Sequence, residues 1–244
     1  MAPLVWLITG TSSGIGLALA QAVLARGDHV IATARDITSP TLLPLQTHGA
    51  HLLAFDVTLP QSTITSLLAT ALTLSPSKGI DILVNNAGYL EIGVLEDLND
   101  SQWRAQFETN VFGAVRLAKA ILPSMRERGS GTVVWVGSVA GWKGEEGGGA
   151  YCGSKFAVAG IAESFREEVV HLAMTAYNGR QPCSPLKAAK HMIEVITSTG
   201  MAKGRDMPER LVLGSDALEV VREKCERTLA LLKEWEEVGR STDF

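Results

Sequence analysis

The sequence predicts an α/β protein: a doubly wound parallel sheet with helices on both faces, in three layers. Two observations carry that class. Short apolar runs alternate with helical periods along most of the chain, which is the pattern of strand–helix–strand units. The first run, Leu4-Val5-Trp6-Leu7-Ile8, passes directly into a glycine-rich turn, Thr9-Gly10-Thr11-Ser12-Ser13-Gly14-Ile15-Gly16, which opens an apolar-periodic segment over 17–24. Strand, tight turn and helix therefore follow one another at the N-terminus. In open sheets of this kind, ligands bind beyond the carboxyl ends of the strands.

Each element has its own signal. The first helix stops at Arg26-Gly27, with glycine at the usual end position. His29-Val30-Ile31-Ala32-Thr33-Ala34 reads as the second strand, and Arg35 stands just beyond it. His51-Leu52-Leu53-Ala54-Phe55 reads as the third and runs into Asp56-Val57-Thr58. A helix over 61–74 shows an apolar face at Ile64, Leu67, Leu68 and Ala71. Ile80-Asp81-Ile82-Leu83-Val84 is the fourth strand, followed by Asn85-Asn86-Ala87-Gly88. A long helix is predicted over 101–122, capped by Asp100. Thr132-Val133-Val134-Trp135-Val136 is the fifth strand and ends at Gly137-Ser138. A glycine-rich loop, 141–149, leads to Tyr151 and a helix over 152–172. Ser184-Pro185 starts a further helix over 186–199, 209–214 reads as the last strand, and 215–238 as an amphipathic helix with Leu218, Val221, Cys225, Leu229 and Leu232 as its stripe. No repeat or linker divides the 244 residues, so a single domain over 1–244 is expected.

Composition narrows the function classes. The chain is 46% hydrophobic and 20% charged, as in globular proteins that remain in solution. A net charge of −4 offers no basic footprint for nucleic acid. Three scattered cysteines fit neither a disulfide framework nor a metal site, so no metal and a reducing, cytoplasmic setting are expected. The start, Met1-Ala2-Pro3, carries no basic leader, and no apolar run has the length of a membrane span, so no membrane partner is expected.

Chemistry concentrates at two places. The glycines of 10–16 let backbone N–H groups approach a phosphate, and the helix that begins at Gly14 adds its positive end. The spacing Gly-x3-Gly-x-Gly differs from the common dinucleotide fingerprint and is a weak signal alone. The second place is the set Asn110, Ser138, Tyr151 and Lys155. Tyr151 and Lys155 are four apart at a helix start and share a face. A phenol of pKa near 10 is a poor acid–base catalyst at neutral pH, and a neighbouring ammonium favours its ionised form. Ser138 can donate to a carbonyl oxygen, and Asn110 could hold a water linked to the lysine. Any one of the four has an ordinary structural reading.

Taken together with 9–16 and 85–88, these residues resemble the short-chain dehydrogenase/reductase family, over residues 4–172. The resemblance implies a Rossmann-type sheet that binds NAD(P)H. It implies Tyr151 as general acid/base, Lys155 as ribose contact and tuner of the tyrosine, Ser138 as polariser of the carbonyl, and Asn110 in a proton relay. It places Gly10, Ser12, Ser13, Gly14, Ile15 and Gly16 on the pyrophosphate. Asp56 and Val57 fall at the adenine, and Asn86, Ala87 and Gly88 along the cofactor. Arg35 matches a position that pairs with a 2′-phosphate, which favours NADP(H) over NAD(H), while Asp36 would suit a free ribose hydroxyl. A small-molecule substrate follows, and Tyr89, Leu90 and Trp142 suggest a bulky, partly apolar carbonyl compound. A homodimer or homotetramer is also implied, through apolar faces at Phe107, Val111, Val115, Leu117, Phe156, Val158, Ile161 and Phe165.

The sequence departs from the family after the Tyr151 helix. Residues 173–185 show no β-branched strand and no Pro-Gly turn, so the sixth strand and most of the substrate lid are expected to be missing. The last strand would then pair with the fifth or leave the sheet shorter. Two functions remain open at this point: an NADP(H)-dependent oxidoreductase, or a non-redox cyclase, isomerase or lyase that uses Tyr151, Lys155 and Ser138 while the cofactor binds without turnover.

Overall fold

The computed structural model describes residues 2–77, 79–168, 172–173 and 184–241. The central strands are buried on both sides because both faces of the sheet carry helices, which is why they read as near-continuous apolar runs. The elements are β1 (Val5–Thr9), α1 (Gly14–Ala25), β2 (His29–Ala34), a short α2 (Leu43–Thr47), β3 (His51–Ala54), α3 (Gln61–Leu74) and β4 (Ile82–Asn85). Next come α4 (Asp100–Phe107), a π-helical turn (Glu108–Gly113), α5 (Ala114–Arg128), β5 (Thr132–Trp135), α6 (Gly149–Glu168) and β6 (Leu172–Ala173). The chain continues with α7 (Pro185–Ile196), α8 (Ser215–Glu234) and α9 (Glu236–Arg240). All strand pairs are parallel, in the order β3-β2-β1-β4-β5-β6. The order reverses between β1 and β4, and the cleft opens there.

Alternate residues of each strand point to opposite faces and fill two cores. One joins Trp6, Ile8, Val84 and Val134 to α1 and α7, through Leu19, Val23, Ala189 and Met192. The other joins Val5, Leu7, Leu83 and Val133 to α3, α5 and α6, through Ile64, Leu117, Ile121 and Phe165. The carboxylate of Asp28 accepts from the Leu4 N–H (2.9 Å) and the Trp6 indole N–H (3.1 Å), which ties the α1–β2 turn to the start of β1. Asp81 does the same for β4 by accepting from the Val5 N–H at 2.9 Å.

Several sequence expectations change here. The long helix is capped by Asn99, whose side chain accepts from the backbone of Ser101 and Gln102, and not by Asp100. Residues 209–214 form no strand; Leu211 and Leu213 instead pack their side chains on the first core. The expectation that the strand beyond β5 is missing is corrected: among the described residues, Leu172–Ala173 pairs in parallel with Val133 and Val134 and makes the sixth strand, where the sequence suggested the end of a helix. The segment 174–183, which holds most of the expected lid deletion, lies outside the described residues. Most of the apolar face assigned to an intersubunit contact is internal: Val111, Leu117, Val158 and Phe165 are buried in the second core. Phe112 and Phe156 are the members of those helices left half-exposed.

Candidate active site

The glycine-rich turn owes its shape to close approach. Gly10 and Gly14 adopt the left-handed region, with φ of +68° and +57°. A Cβ on Gly16 would stand 2.4 Å from both the Asn86 amide nitrogen and the Gly10 carbonyl oxygen. Asn86 fixes that approach: its Nδ2 donates to the carbonyls of Thr9 (2.7 Å) and Gly10 (3.1 Å). The buried Thr9 hydroxyl accepts from the N–H groups of Asn86 (3.0 Å) and Ala87 (2.9 Å) and donates to the Val84 carbonyl (3.2 Å). The ends of β1 and β4 are thus locked edge to edge. Ser13, the N-cap of α1, makes no side-chain cap bond, so the first-turn amides of this helix face the cleft with no side chain satisfying them.

Between the strand ends lies a cleft of about 580 Å³. Gly10, Ser12, Ser13 and Ile15 line one wall, Arg35, Asp56 and Val57 the far end, and Asn86, Ala87 and Gly88 the opposite wall. Ten of the twelve residues expected at the cofactor therefore meet in one cavity; Gly14 and Gly16 lie in the turn beneath. Asp36 does not line the cleft: its carboxylate is taken by the N–H (2.8 Å) and hydroxyl (2.6 Å) of Thr38, which hold it below its usual pKa. A volume of this size suits a small-molecule or cofactor site. Free helix-start amides with a cation at the far end fit a dinucleotide phosphate.

A second pocket, about 130 Å³, continues from it. Ser138, Tyr151, Lys155 and Glu145 line it, with Tyr89 and Leu90 on the other side. Ser138 caps a short 3-10 turn, Val139–Gly141, accepting from the Ala140 N–H at 3.1 Å, and lines the pocket together with Tyr151. Burial raises the Tyr151 phenol above its ordinary pKa; the Ser138 hydroxyl opposes that, and the Glu145 carboxylate reinforces it. The buried Lys155 Nζ lies 5.7 Å from the Tyr151 ring centroid and donates to the Val136 carbonyl at 2.8 Å. Loss of hydration pulls its ammonium down to about 8. Burial shifts the two groups in opposite directions, the phenol up and the ammonium down, and Tyr151 is protonated at neutral pH.

Asn110 reaches the site through the π-helical turn, which widens where Gly113 passes the Val57 carbonyl; a Cβ there would sit 2.7 Å from that oxygen. Both N–H bonds of its amide are engaged. Oδ1 accepts from the Tyr89 N–H (3.0 Å), while Nδ2 donates to the Tyr89 carbonyl (3.0 Å) and the Ser154 hydroxyl (3.1 Å). Ser154 in turn donates to the Tyr151 carbonyl at 2.7 Å. This side chain joins the Tyr89 loop to the Tyr151 helix. Gln106, one turn earlier and fully buried, does similar work: it accepts from the Glu91 N–H (2.7 Å) and donates to the Tyr89 carbonyl (2.8 Å). The sequence reading missed Thr9, Gln106 and Glu145. A polar side chain four residues before Asn110 on the same helix face was the one available signal for Gln106.

Among the described residues, no group of three His, Cys, Asp or Glu could hold a metal, and no helix is long and apolar enough to cross a membrane.

Residues 4–177 match the family model described as short chain dehydrogenase. An oxidoreductase of Botryotinia fuckeliana is 38% identical over 166 residues, which are 68% of this chain and 60% of the relative. Retinol dehydrogenase 8 of Bos taurus is 40% identical over 174 residues, 69% of this chain and 55% of the relative. The chain thus spans well under two thirds of the length of these two proteins. The 3-oxoacyl-[acyl-carrier-protein] reductase of Vibrio cholerae is 35% identical over 171 residues, 69% of this chain and 68% of the relative. Among solved structures, a short-chain dehydrogenase from Streptomyces avermitilis superposes with a TM-score of 0.89 at 32% identity, covering the whole of both chains. A metagenomic short-chain oxidoreductase in complex with NADP superposes with a TM-score of 0.73 at 25% identity, over 85% of this chain and 95% of that one. The family-model match over most of the chain and the agreement in fold show that the chain belongs to the short-chain dehydrogenase/reductase family.

Proposed function

We propose that this chain forms one domain that uses NADP(H) to reduce a carbonyl group on a bulky, partly apolar small molecule. The observation that carries the reading is that Ser138, Tyr151 and Lys155 line one small pocket, which shares Asn86, Gly88 and Tyr89 with the long cleft. Ser138 is the donor that would hold a carbonyl oxygen. The Tyr151 hydroxyl, kept protonated by burial, is placed to give that oxygen its proton, which suits reduction. Lys155 stands behind the tyrosine, and Asn110 acts as a positioning residue through Tyr89 and Ser154. A nicotinamide cofactor bound in the cleft supplies the hydride chemistry.

Preference for the 2′-phosphorylated cofactor rests on the far end. Arg35 lines the cleft, whereas Asp36, the carboxylate that would receive a ribose hydroxyl, is held by Thr38. The apolar Tyr89 and Leu90, both more than a third exposed at the small pocket, support a partly apolar substrate. Half-exposed Phe112 and Phe156 support a homodimer. The reading is tested with NADPH deuterated at the transferable position and a panel of aryl ketones. Alcohol carrying one deuterium is expected. Product of unchanged mass, formed without cofactor, would overturn the reading in favour of acid–base chemistry alone.

A further inference from the structure

We propose that Glu145 sets the substrate class: the small pocket takes carbonyl compounds whose far end carries a protonated amine, and it disfavours those that carry a carboxylate. The proposal rests on the reading of this pocket as the substrate site.

The pocket has two charged side chains, at different depths. Lys155 is buried behind Tyr151, with its Nζ hydrogen-bonded to the Val136 carbonyl. Glu145 is exposed and lines the same pocket from the 141–149 loop. Its charge is felt at the Tyr151 hydroxyl, so any group bound against that hydroxyl lies within its field. No described lysine or arginine neutralises it. Arg210, which stacks 4.4 Å over Trp142 beside the same loop, is already paired with Glu163. The loop is held in place: the Gly148 N–H donates to the Glu145 carbonyl (3.1 Å), and the Gly93 N–H donates to the Gly147 carbonyl (2.9 Å). The second bond ties the loop to the Tyr89–Leu90 side of the pocket. A substrate that enters between the two loops buries its apolar body on Tyr89 and Leu90 and leaves its distal group near an unpaired carboxylate. An ammonium gains Coulomb energy there, while a carboxylate meets a like charge as it is desolvated.

Three acetophenones that differ only in the para substituent make the probes: aminomethyl (cation), ethyl (neutral) and carboxymethyl (anion). kcat/KM with NADPH, and Kd by calorimetry, are measured for the wild type, Glu145→Gln and Glu145→Lys. The residue is exposed, so neither change threatens the fold. The wild type is expected to prefer the cation over the anion by about tenfold, Glu145→Gln to cut that ratio about fivefold, and Glu145→Lys to reverse it, as fits a partly solvated charge pair. A cation-to-anion ratio that is the same in all three proteins, in Kd and in kcat/KM, would overturn the proposal. Absence of turnover on every probe, with a Kd ratio that still follows the charge at 145, would overturn the reductase reading and leave this inference standing.

Discussion

The two ends of the site are built differently. The cofactor end is made of backbone and steric exclusion: Gly10 and Gly16 pass where a Cβ would collide, Gly14 takes a left-handed φ, and Thr9 and Asn86 pin the strand ends around them. The substrate end is made of buried side chains whose ionisation the protein controls: Tyr151 raised and Lys155 lowered, both by desolvation. A change at the first end should damage shape and binding together. At the second end, chemistry and pH response can change while the fold survives.

Gly16→Ala probes the first end most severely. The new methyl would meet a backbone oxygen and the Asn86 amide at 2.4 Å, so the turn must open. A loss of about 3 kcal/mol in urea-denaturation stability, with NADPH binding abolished, is expected. Unaltered NADPH affinity would contradict the steric account.

Asn110→Leu tests the bridge between the ends. It leaves the Tyr89 N–H without its partner and removes the bond to Ser154. A loss of about 2–3 kcal/mol is expected. Turnover should fall more than NADPH affinity, because the Tyr89 loop and the Tyr151 helix bound the smaller pocket. Equal losses in both would deny the distinction between the ends.

Lys155 gives the substrate end a pH signature. Its folded pKa, about 8, lies below the unfolded value, so between those two pH values the unfolded chain binds one more proton than the folded one. Stability from this group therefore rises with pH above about 8, and the cost of burying the ammonium is fully present below it. Relative to Lys155→Met, the wild type should gain about 2 kcal/mol between pH 7.5 and pH 9.5. Parallel stability curves for the two proteins would show that the lysine is not desolvated.

Arg35→Ala makes the smallest change, at the rim of the cleft. It should weaken NADPH binding about tenfold and leave NADH binding nearly unaltered, as measured by cofactor fluorescence titration. Equal affinities for the two cofactors in the wild type would remove the 2′-phosphate argument.

The cofactor end was legible in the sequence because its constraint is local. The glycine-rich turn and the residues just beyond the strand ends are read from short stretches of sequence, and ten of twelve residues expected there line one cleft. The substrate end was legible as residue identities and not as energetics. Spacing put Tyr151 and Lys155 on one face, but no spacing reveals that burial raises the phenol and lowers the ammonium. Asn110 was found and its partners were not, since Tyr89 and Ser154 come from distant segments. The two-residue β6 escaped notice because Leu172 and Ala173 continue a helical pattern, and only pairing with β5 makes them a strand. At 209–214 an apolar run suggested a strand, yet its leucines anchor a loop on the core, where tertiary packing overrides propensity.

The division of labour is tested most directly by Tyr151→Phe. This variant removes one hydroxyl and keeps the ring. NADPH affinity within about twofold of the wild type is expected, with little change in stability and turnover of the ketone panel reduced about 100-fold or more. Turnover near the wild-type level, or loss of NADPH binding along with turnover, would contradict the account.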